Sequence, residues 1–471
     1  MAATGGGLRV LVLAAGRGKR LRSKSIKLVH SVAGSPMVAH VLDAVARLRP
    51  QRIVTVIGFQ ADEVRAALDG HRSAFVVQRE QRGTGHAVLQ AARAVGASGD
   101  GPLLIVNGDM PTIRPSTLRR FVSHHRRSRA ALSFMTAELD EPTGYGRVVR
   151  DGGGRVVRVV EQADATAAEK RIREVNCGIY CASPATLFRT LRRLTPDNAQ
   201  GEYYLTDAVH VLLEDGGAVA AVRHDDAEEL LGVNTRQELS RASRTLYARK
   251  AEALQDQGVT LLDAERSWID PRARIGRDTV IYPGVLIEGE TVIGRDCVIG
   301  LGCRIADSTI GDDVAVRDYS LLERARVGTR AVVGPFARLR PDSWLDPDSR
   351  VGNFVELKKT RLGRGSKANH LAYLGDATIG PDCNVGAGTI TCNYDGRNKF
   401  PTVLGRGVFI GSDTQLVAPV RLGDEAYVGA GSTVTEDVPA GALAISRQPQ
   451  TNVEGWVGRR KRRDRARSTK K

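Results

Sequence analysis

The chain has 471 residues, of which 42% are hydrophobic and 26% charged, a composition typical of a folded protein of two or three domains. No stretch of about 18 apolar residues occurs, and the start MAATGGGLRV lacks the pattern of a secretory signal. We therefore expect a cytoplasmic protein with no membrane partner. The net charge of +16 suits substrates that carry phosphates.

The first predicted element is a buried parallel strand over residues 8–15, LRVLVLAA, followed by GRGKRLRSKSIK. A glycine-rich turn after a strand can bind phosphate, because Gly16 and Gly18 let backbone N–H groups approach an anion. The two glycines alone are weak evidence, since the turn matches neither the dinucleotide fingerprint nor a Walker A loop. A generic strand turn remains the alternative.

Further apolar runs, over 53–58 and 103–106, alternate with helix-like stretches such as 87–94, which predicts a doubly wound α/β domain. Asp109 follows one of these strands in LLIVNGDMP. Ligands of open α/β sheets bind beyond the carboxyl ends of the strands, so this carboxylate is a candidate metal ligand. A turn-forming Asp before Pro111 is the alternative.

Residues 237–258 are rich in Arg, Ala, Leu and Glu at helical spacing and end at a glycine, which predicts one linking helix. After it, aliphatic residues recur at every sixth position, first as Ile275, Ile281, Ile287, Ile293, Ile299 and Ile305. A six-residue period is typical of a parallel β-helix, whose triangular coil takes one hexad on each side and turns the aliphatic residue inward. A β-sandwich would instead alternate with a period of two.

The chain ends in the basic segment GRRKRRDRARSTKK. No aromatic residue interleaves the run after Trp456, so we expect a solvated, disordered tail and no nucleic-acid partner. The predicted domains are therefore an α/β domain over 1–236, the linking helix over 237–258, a β-helix over 259–450 and a tail over 451–471. The six cysteines lack paired spacing, which indicates reduced thiols.

Several motifs follow one another as in the sugar-nucleotide pyrophosphorylases: LAAGRGKRLRSKSIK, QREQRGTGHA, VNGDMP, PTGYGRV, VVEQ, EVNCG, NAQGEYYLTD and LGVNTR. With the hexapeptide domain behind them, the chain resembles the bacterial bifunctional N-acetylglucosamine-1-phosphate uridyltransferase/glucosamine-1-phosphate acetyltransferases. The resemblance implies an α/β Rossmann-like nucleotidyltransferase domain followed by a left-handed parallel β-helix acetyltransferase domain. It also implies a homotrimer that makes a precursor of the cell wall.

For the first domain, the resemblance implies transfer of a uridylyl group from UTP to N-acetylglucosamine 1-phosphate, with Mg²⁺ held by Asp109 and Asn234. Gln78, Gly83 and Thr84 would bind the uracil, and Arg20 and Lys27 would face the phosphates. The residues implied to bind UTP and the UDP-sugar are Leu13, Ala14, Ala15, Gly16, Arg20, Lys27, Gln78, Gly83, Thr84, Gly146, Glu161, Asn176 and Asn234.

For the second domain, the resemblance implies acetyl transfer from acetyl-CoA to glucosamine 1-phosphate. His370 suits the general base because an imidazole can take a proton near neutral pH; Glu356 could orient its ring, and Asn393 would polarise the thioester. The residues implied to bind the sugar phosphate are Arg340, Lys358, Tyr373, Asn384 and Lys399. Those implied to bind acetyl-CoA are Ala387, Asn393, Tyr394, Ser412, Ala430 and Arg447.

The phosphate loop departs from the family pattern G-x-G-T-R-M, with Lys19, Leu21 and Ile26 at positions where the family has Thr, Met and Pro. Two alternatives to the bifunctional enzyme follow. One is an acetyltransferase whose first domain binds a nucleotide sugar without turning it over. The other is a non-catalytic assembly subunit with the same two domain types.

Overall fold

The computed structural model describes residues 7–16, 18–96 and 101–468. The chain divides into two compact units between Lys250 and Ala251, inside one long helix. No helix in these ranges is both long and apolar enough to cross a membrane.

The first unit alternates strands and helices along the chain. Its strands are β1 (Arg9–Ala14), β2 (Ser31–Val32), β3 (Ser35–Pro36), β4 (Arg52–Ile57), β5 (Ala74–Val77), β6 (Leu103–Asn107), β7 (Leu132–Glu138), β8 (Gly146–Arg150), β9 (Val156–Val160), β10 (Glu174–Ala182) and β11 (Val219–Arg223). Its helices are α1 (Met37–Ala46), α2 (Ala61–Ala67), α3 (Thr84–Gln90), α4 (Ala92–Val95), α5 (Pro115–Ser128), α6 (Pro184–Leu191), α7 (Asp207–Glu214) and α8 (Ala227–Leu230), and α9 (Arg236–Asp256) leads into the second unit.

The main sheet of this unit has the strand order β11-β7-β10-β6-β1-β4-β5, with β10 antiparallel to its neighbours and β1 parallel to both of its own. Alternate residues of β1 enter different cores. Val10 and Val12 pack with α1 and α5, whereas Leu11 packs with α3, α6 and α7 on the other face. Helices on both faces of a mostly parallel sheet confirm the doubly wound α/β fold. The stretch 87–94 is interrupted at Ala91, between α3 and α4.

The second unit is built from short strands. They are β12 (Thr260–Leu261), β13 (Trp268–Ile269), β14 (Arg274–Ile275), β15 (Val280–Ile281), β16 (Leu286–Glu288), β17 (Val292–Ile293), β18 (Val298–Ile299), β19 (Arg304–Ala306), β20 (Thr309–Ile310), β21 (Ala315–Val316), β22 (Leu321–Glu323), β23 (Arg326–Val327), β24 (Val332–Val333), β25 (Arg338–Leu339), β26 (Trp344–Leu345), β27 (Arg350–Asn353), β28 (Glu356–Lys358), β29 (Arg361–Leu362), β30 (Lys367–His370), β31 (Tyr373–Gly375), β32 (Ala377–Ile379), β33 (Asn384–Val385), β34 (Ile390–Cys392), β35 (Thr402–Leu404), β36 (Phe409–Ile410), β37 (Gln415–Val417), β38 (Val420–Leu422), β39 (Tyr427–Val428), β40 (Thr433–Val434) and β41 (Leu443–Ala444).

These strands form three parallel ladders, which begin at β12, β13 and β14 and are called the first, second and third ladder. Within a ladder each strand pairs with the strand three further along the chain, except at the end of the first ladder, where β39 pairs with β41; three short strands therefore make one coil. Ile275 pairs with Ile293, and Ile281 with Ile299. The six-residue period therefore predicted the parallel β-helix correctly, and the left-handed form is the one that the resemblance implied.

The inward positions of the hexads form one continuous core. Ile281, Ile287, Ile299 and Ile305 are fully buried, and Cys297 and Cys303 pack among them. Each such aliphatic side chain contributes roughly 2 kcal/mol once neighbouring coils cover it. All six cysteines are free thiols, as expected from their spacing.

The C-terminal tail differs from the expectation of disorder. A helix, α10 (Trp456–Ser468), follows the last coil, and the side chains that are described in it are exposed. Arg and Lys are good helix formers, so local propensity favours the helix although it buries no apolar face. The expectation of disorder rested on the charge of this segment and on its lack of aromatic residues after Trp456, and it left helix propensity out.

Candidate active sites

A cleft in the first unit lies beyond the carboxyl ends of β1 and β6. It comprises a cavity of about 720 Å³ and a neighbouring cavity of about 330 Å³. Both are lined by Leu13, Thr84, Asn107 and Asp109, so they are parts of one continuous cleft. Its position and size are typical of a ligand site in an open α/β sheet.

Almost all residues predicted to bind UTP and the UDP-sugar line this cleft. Those in the larger cavity are Leu13, Ala15, Gly16, Lys27, Gln78, Gly83 and Thr84, and those in the smaller one are Leu13, Arg20, Thr84, Gly146, Glu161, Asn176 and Asn234. Ala14 is the exception. It is buried among the side chains that pack on α1, because its side chain points to the opposite face of β1 from Leu13.

The phosphate turn is closely packed around Lys27. A Cβ atom at Gly18, whose φ is +62°, would lie 2.4 Å from Cβ of Lys27, so this position requires glycine. Two of the departures from the family pattern, Leu21 and Ile26, are buried. Ile26 has φ −61°, the value that a proline ring would impose, so the turn keeps its shape without the proline.

Two side-chain oxygen atoms, from Asp109 and Asn234, bind the same positive charge at the centre of the cleft. The Nζ atom of Lys27 lies 2.5 Å from Oδ2 of Asp109 and 2.9 Å from Oδ1 of Asn234. Backbone hydrogen bonds position Asp109 and Asn234. Val233 N–H donates to the Asp109 carbonyl at 2.9 Å, and the backbone N–H of Asn234 donates to the Glu238 carboxylate at 2.6 Å.

A carboxylate and an amide oxygen that share a positive charge fit a hard divalent cation. In the described part of the chain, no cluster of three or more His, Cys, Asp or Glu side chains could hold a metal. Two protein ligands suit Mg²⁺, which usually completes its shell with water and substrate phosphates.

The end of the cleft that is predicted to bind the uracil contains Gln78 and Gly83. Gln78 is buried, and its amide nitrogen donates to the Gly83 carbonyl at 3.2 Å and lies 3.0 Å from Nδ1 of His86. A Cβ atom at Gly83, whose φ is +105°, would come within 2.6 Å of the Tyr203 carbonyl oxygen. The sequence analysis assigned no role to His86 and Tyr203, although both lie within motifs that it quotes.

The end of the cleft that is predicted to bind the sugar is lined by Glu161, Tyr145 and Tyr180. Glu161 accepts a hydrogen bond from the Thr206 hydroxyl at 3.0 Å, and burial raises the pKa of its carboxyl. The Asn176 amide donates to the Tyr180 hydroxyl at 2.7 Å. Burial raises the pKa of the Tyr145 hydroxyl. Tyr145, Tyr180 and Thr206 were not identified from the sequence.

Glu356 was predicted to orient the ring of His370, but no hydrogen bond or ion pair joins the two side chains. Nδ1 of the exposed His370 lies 2.7 Å from Oδ1 of Asn353, and Glu356 instead pairs with Arg340 at 3.0 Å. The prediction that Glu356 orients the histidine ring is therefore wrong. Asn353 and His370 are register partners on the first ladder, whereas Glu356 pairs with Tyr373 on the second.

Several residues predicted to bind the sugar phosphate lie together. The Lys399 and Lys358 side chains lie close together. A hydrogen bond with Lys358 and the repulsion between the two charges lower the pKa of the Lys399 ammonium. A Cβ atom at Gly375 would lie 2.5 Å from the Tyr373 hydroxyl and 2.7 Å from the Asn393 amide nitrogen. These side chains therefore surround the same short strand, β31.

The other predicted acetyl-site residues lie on neighbouring faces of the β-helix. Asn384 belongs to the first ladder, and Asn393 and Tyr394 begin the insertion after β34 on the second. The Asn393 amide donates to Oδ2 of Asp376 at 2.5 Å, and the Tyr394 hydroxyl donates to the Gly396 carbonyl at 2.7 Å.

Four of the six residues predicted to bind acetyl-CoA, Ala387, Ser412, Ala430 and Arg447, lie on successive coils at one corner of the β-helix, whereas Asn393 and Tyr394 lie in the insertion after β34. The Ala387 carbonyl accepts from Asp413 N–H at 2.7 Å, and the Ser412 carbonyl accepts from Gly431 N–H at 2.8 Å. At the end of this series, the Arg447 guanidinium donates to the Ala430 carbonyl at 2.7 Å.

Comparison with known proteins gives matches along the chain. Residues 10–258 match the MobA-like NTP transferase domain, residues 264–344 the GMPPB C-terminal domain, and residues 401–436 the bacterial transferase hexapeptide (six repeats). The crystal structure of UDP-glucose pyrophosphorylase complexed with UDP-glucose superposes with a TM-score of 0.42 and 17% identity, covering 51% of this chain and 98% of that one. This likeness is too low to carry an argument.

Two curated relatives are similar over almost their whole length, and both are named "Bifunctional protein GlmU". The one from Geobacillus sp. (strain WCH70) is 46% identical over 449 residues, which is 95% of this chain and 97% of the relative. The one from Halalkalibacterium halodurans is 47% identical over 447 residues, which is 95% of this chain and 98% of the relative.

Proposed function

The chain belongs to the family of bifunctional GlmU proteins and transfers acetyl and uridylyl groups, and from that premise we propose its substrates, its metal and the role of each site residue. Acetyl-CoA acetylates glucosamine 1-phosphate in the second unit. In the first unit N-acetylglucosamine 1-phosphate then takes the uridylyl group of UTP, pyrophosphate leaves, and UDP-N-acetylglucosamine forms in the cytoplasm as a precursor of the cell wall; Asp109 and Asn234 would hold Mg²⁺ there. The monofunctional and non-catalytic alternatives are not favoured, because the bifunctional relatives cover 95% of this chain.

One observation carries the uridylyl site: Lys27 lies between Asp109 and Asn234 in a cleft that continues from the proposed uracil end to the proposed sugar end. Mg²⁺ held by Asp109 and Asn234 would neutralise charge on the phosphates while one bond to the α-phosphorus forms and the other breaks. When Lys27 is released from these oxygens, its ammonium is free to meet a phosphate, next to Arg20.

The protein's task in this reaction is to position two anions. The sugar phosphate oxygen attacks the α-phosphorus of UTP, and the bond to pyrophosphate breaks. Gln78 and Gly83 fix the base at one end of the cleft, while Glu161 and Asn176 hold the sugar hydroxyls at the other. The short phosphate turn between these ends then brings the reacting groups together.

In the acetyl site, His370 takes a proton from the amine of glucosamine 1-phosphate. Nδ1–H of His370 donates to the Asn353 amide oxygen, so Nε2 is left to accept that proton. The amine nitrogen attacks the thioester carbon, the carbon–sulfur bond breaks, and the coenzyme A thiolate leaves. The Asn393 amide, fixed by Asp376, stabilises the oxyanion, and Lys358 and Lys399 meet the sugar phosphate.

The acetyl site supports the proposal of a homotrimer. His370 is exposed, and the sugar-phosphate residues are divided between the first ladder and the second. Beside His370 lies an exposed apolar column of successive coils, Tyr319, Phe336, Phe354 and Leu371, whose aromatic rings stack at 5.4 and 5.3 Å. A neighbouring chain that covers this column would complete a concave site.

The test is a pair of assays on the purified protein. Pyrophosphate release is measured with Mg²⁺, UTP and N-acetylglucosamine 1-phosphate, and thiol release with acetyl-CoA and glucosamine 1-phosphate. We expect both, with Asp109→Ala abolishing pyrophosphate release and leaving thiol release unchanged. Thiol release alone from the unmodified protein would contradict the proposed uridylyl site.

A further inference from the structure

A third cavity, of about 290 Å³, lies in the first unit between α5 and the edge strand β11. Its apolar part is formed by Phe121, Met135 and Val222. The cavity shares no lining residue with the two cavities of the uridylyl cleft. It is therefore a separate concavity that the proposed reaction does not use.

The rim of this cavity is strongly basic. One side carries Arg120, His124 and Arg127, which lie on one face of α5, and the other side carries Arg223 and His224 at the end of β11. No carboxylate is found among the described residues that line it. A concave surface with cations on both sides focuses a positive potential and attracts anions.

The two sides of the rim differ in their partners. Arg223 pairs with Glu138 at 2.8 Å, and Nε2 of His224 lies 3.0 Å from Glu229. On α5, Arg120 donates only to the Thr117 hydroxyl, at 3.3 Å, and within the described part of the chain neither Arg120 nor Arg127 forms an ion pair. The α5 side therefore retains guanidinium groups available to an incoming anion.

We propose that this cavity is a regulatory site for a small phosphate monoester with a short apolar body. Guanidinium groups match phosphate oxygens in pairs, which favours a phosphate over a simple halide. The half-buried Val222, together with the small exposed parts of Phe121 and Met135, offers the apolar part of the ligand a surface that an inorganic anion would leave uncovered. The volume of the cavity, about 290 Å³, admits a small molecule.

The site is linked to the proposed metal ligands through Glu229, and this part of the inference rests on the proposed function. Glu229 is 2% exposed and accepts the backbone N–H of Arg114 at 2.7 Å as well as contacting His224. Arg114 lies five residues after Asp109, and the segment after Glu229 leads to Asn234. An anion that draws His224 away from Glu229 would shift both segments and change the affinity for Mg²⁺.

The binding test is isothermal titration of the full chain with phenyl phosphate and with inorganic phosphate. The variant R120A/R127A removes both α5 guanidiniums of the rim, and R119A/R126A removes two exposed arginines of the same helix that do not line the cavity. We expect R120A/R127A to bind one phenyl phosphate fewer per chain, or at least 10-fold more weakly at one site, whereas R119A/R126A matches the unmodified protein.

Equal binding by both double variants would overturn the site. If R120A/R127A failed to fold by circular dichroism, Arg127→Glu alone would be titrated with the same expectation.

The link to the metal is tested separately, as the change in Mg²⁺ affinity on adding phenyl phosphate. A change in the unmodified protein and in R119A/R126A but not in R120A/R127A is expected, and no change in any of them would overturn the link. Because neither titration needs turnover, a failure here is distinguishable from a failure of the proposed function.

Discussion

Lys27 shows how a buried charge can be kept at a position for which we propose a second cation, Mg²⁺. Its ammonium is held by Asp109 and Asn234, which offsets the cost of removing it from water. The sequence placed Lys27 and Asp109 correctly beside a phosphate turn, because both follow strands of one sheet. It could not show that they bind each other, since 82 residues separate them in the chain.

His370 is the residue on which the acetyl site depends most. We expect His370→Ala to lower the rate of thiol release by about 100-fold to 10,000-fold, because the amine then loses its general base. Pyrophosphate release should stay unchanged. Asn353→Ala should cost less and should change the pH profile, since it frees Nδ1 of His370. Equal thiol release by His370→Ala and the unmodified protein would show that another group is the base.

Asp207 gives the fold a specific dependence on pH. Burial and the nearby Asp164 carboxylate raise the pKa of the Asp207 carboxyl to about 6, above its ordinary value of 3.8. Because the folded state binds this proton more tightly than the unfolded state, the contribution of Asp207 to stability is present at about pH 4 and is lost as the pH rises to about 6.

The measurement is the free energy of unfolding of Asp207→Asn and of the unmodified protein by denaturant titration between pH 4 and pH 7. We expect the variant to gain about 1 to 3 kcal/mol relative to the unmodified protein over this range, since one pKa unit is worth about 1.4 kcal/mol and partial exposure reduces the effect. A difference between the two that does not vary with pH would contradict the raised pKa.

At the scale of elements, the hexad is the most reliable feature of the sequence, because each coil must repeat the same inward position. The strand register also explains why the predicted contact between Glu356 and His370 is not formed. Glu356 was expected beside His370, yet the chain turns a corner between Asn353 and Glu356 and places them on different ladders. Sequence distance does not reveal such a corner. The helix α10 was missed for the opposite reason, since local propensity forms it without any burial.

The hexad makes a prediction about neighbouring residues in one strand, β18. Ile299 is fully buried, whereas Val298 beside it is 43% exposed. We expect Ile299→Ala to lower the free energy of unfolding by about 2 to 5 kcal/mol, because it leaves a cavity in the core. Val298→Ala is the matched control and should change it by less than about 0.5 kcal/mol. Similar losses for both variants, measured by denaturant titration, would contradict the inward and outward assignment.

At the scale of the whole molecule, the apolar column from Tyr319 to Leu371 predicts how the acetyl site is completed. Phe336→Asp places a charge in this column, and we expect it to shift the chain from trimer to monomer in analytical ultracentrifugation and to reduce thiol release at least 10-fold. Val157→Asp, at a site in the first unit that is 41% exposed, is the control and should remain trimeric. A trimeric and fully active Phe336→Asp would show that the column is not the contact.

The two proposed sites are independent and exchange a diffusible intermediate, N-acetylglucosamine 1-phosphate. The most direct test is formation of UDP-N-acetylglucosamine from glucosamine 1-phosphate, acetyl-CoA, UTP and Mg²⁺ by separately purified Asp109→Ala and His370→Ala proteins, alone and mixed. We expect neither variant to form the product alone and the mixture to form it, because each supplies the site that the other lacks. A mixture that stays inactive, while the unmodified protein makes the product, would contradict the assignment of one reaction to each unit.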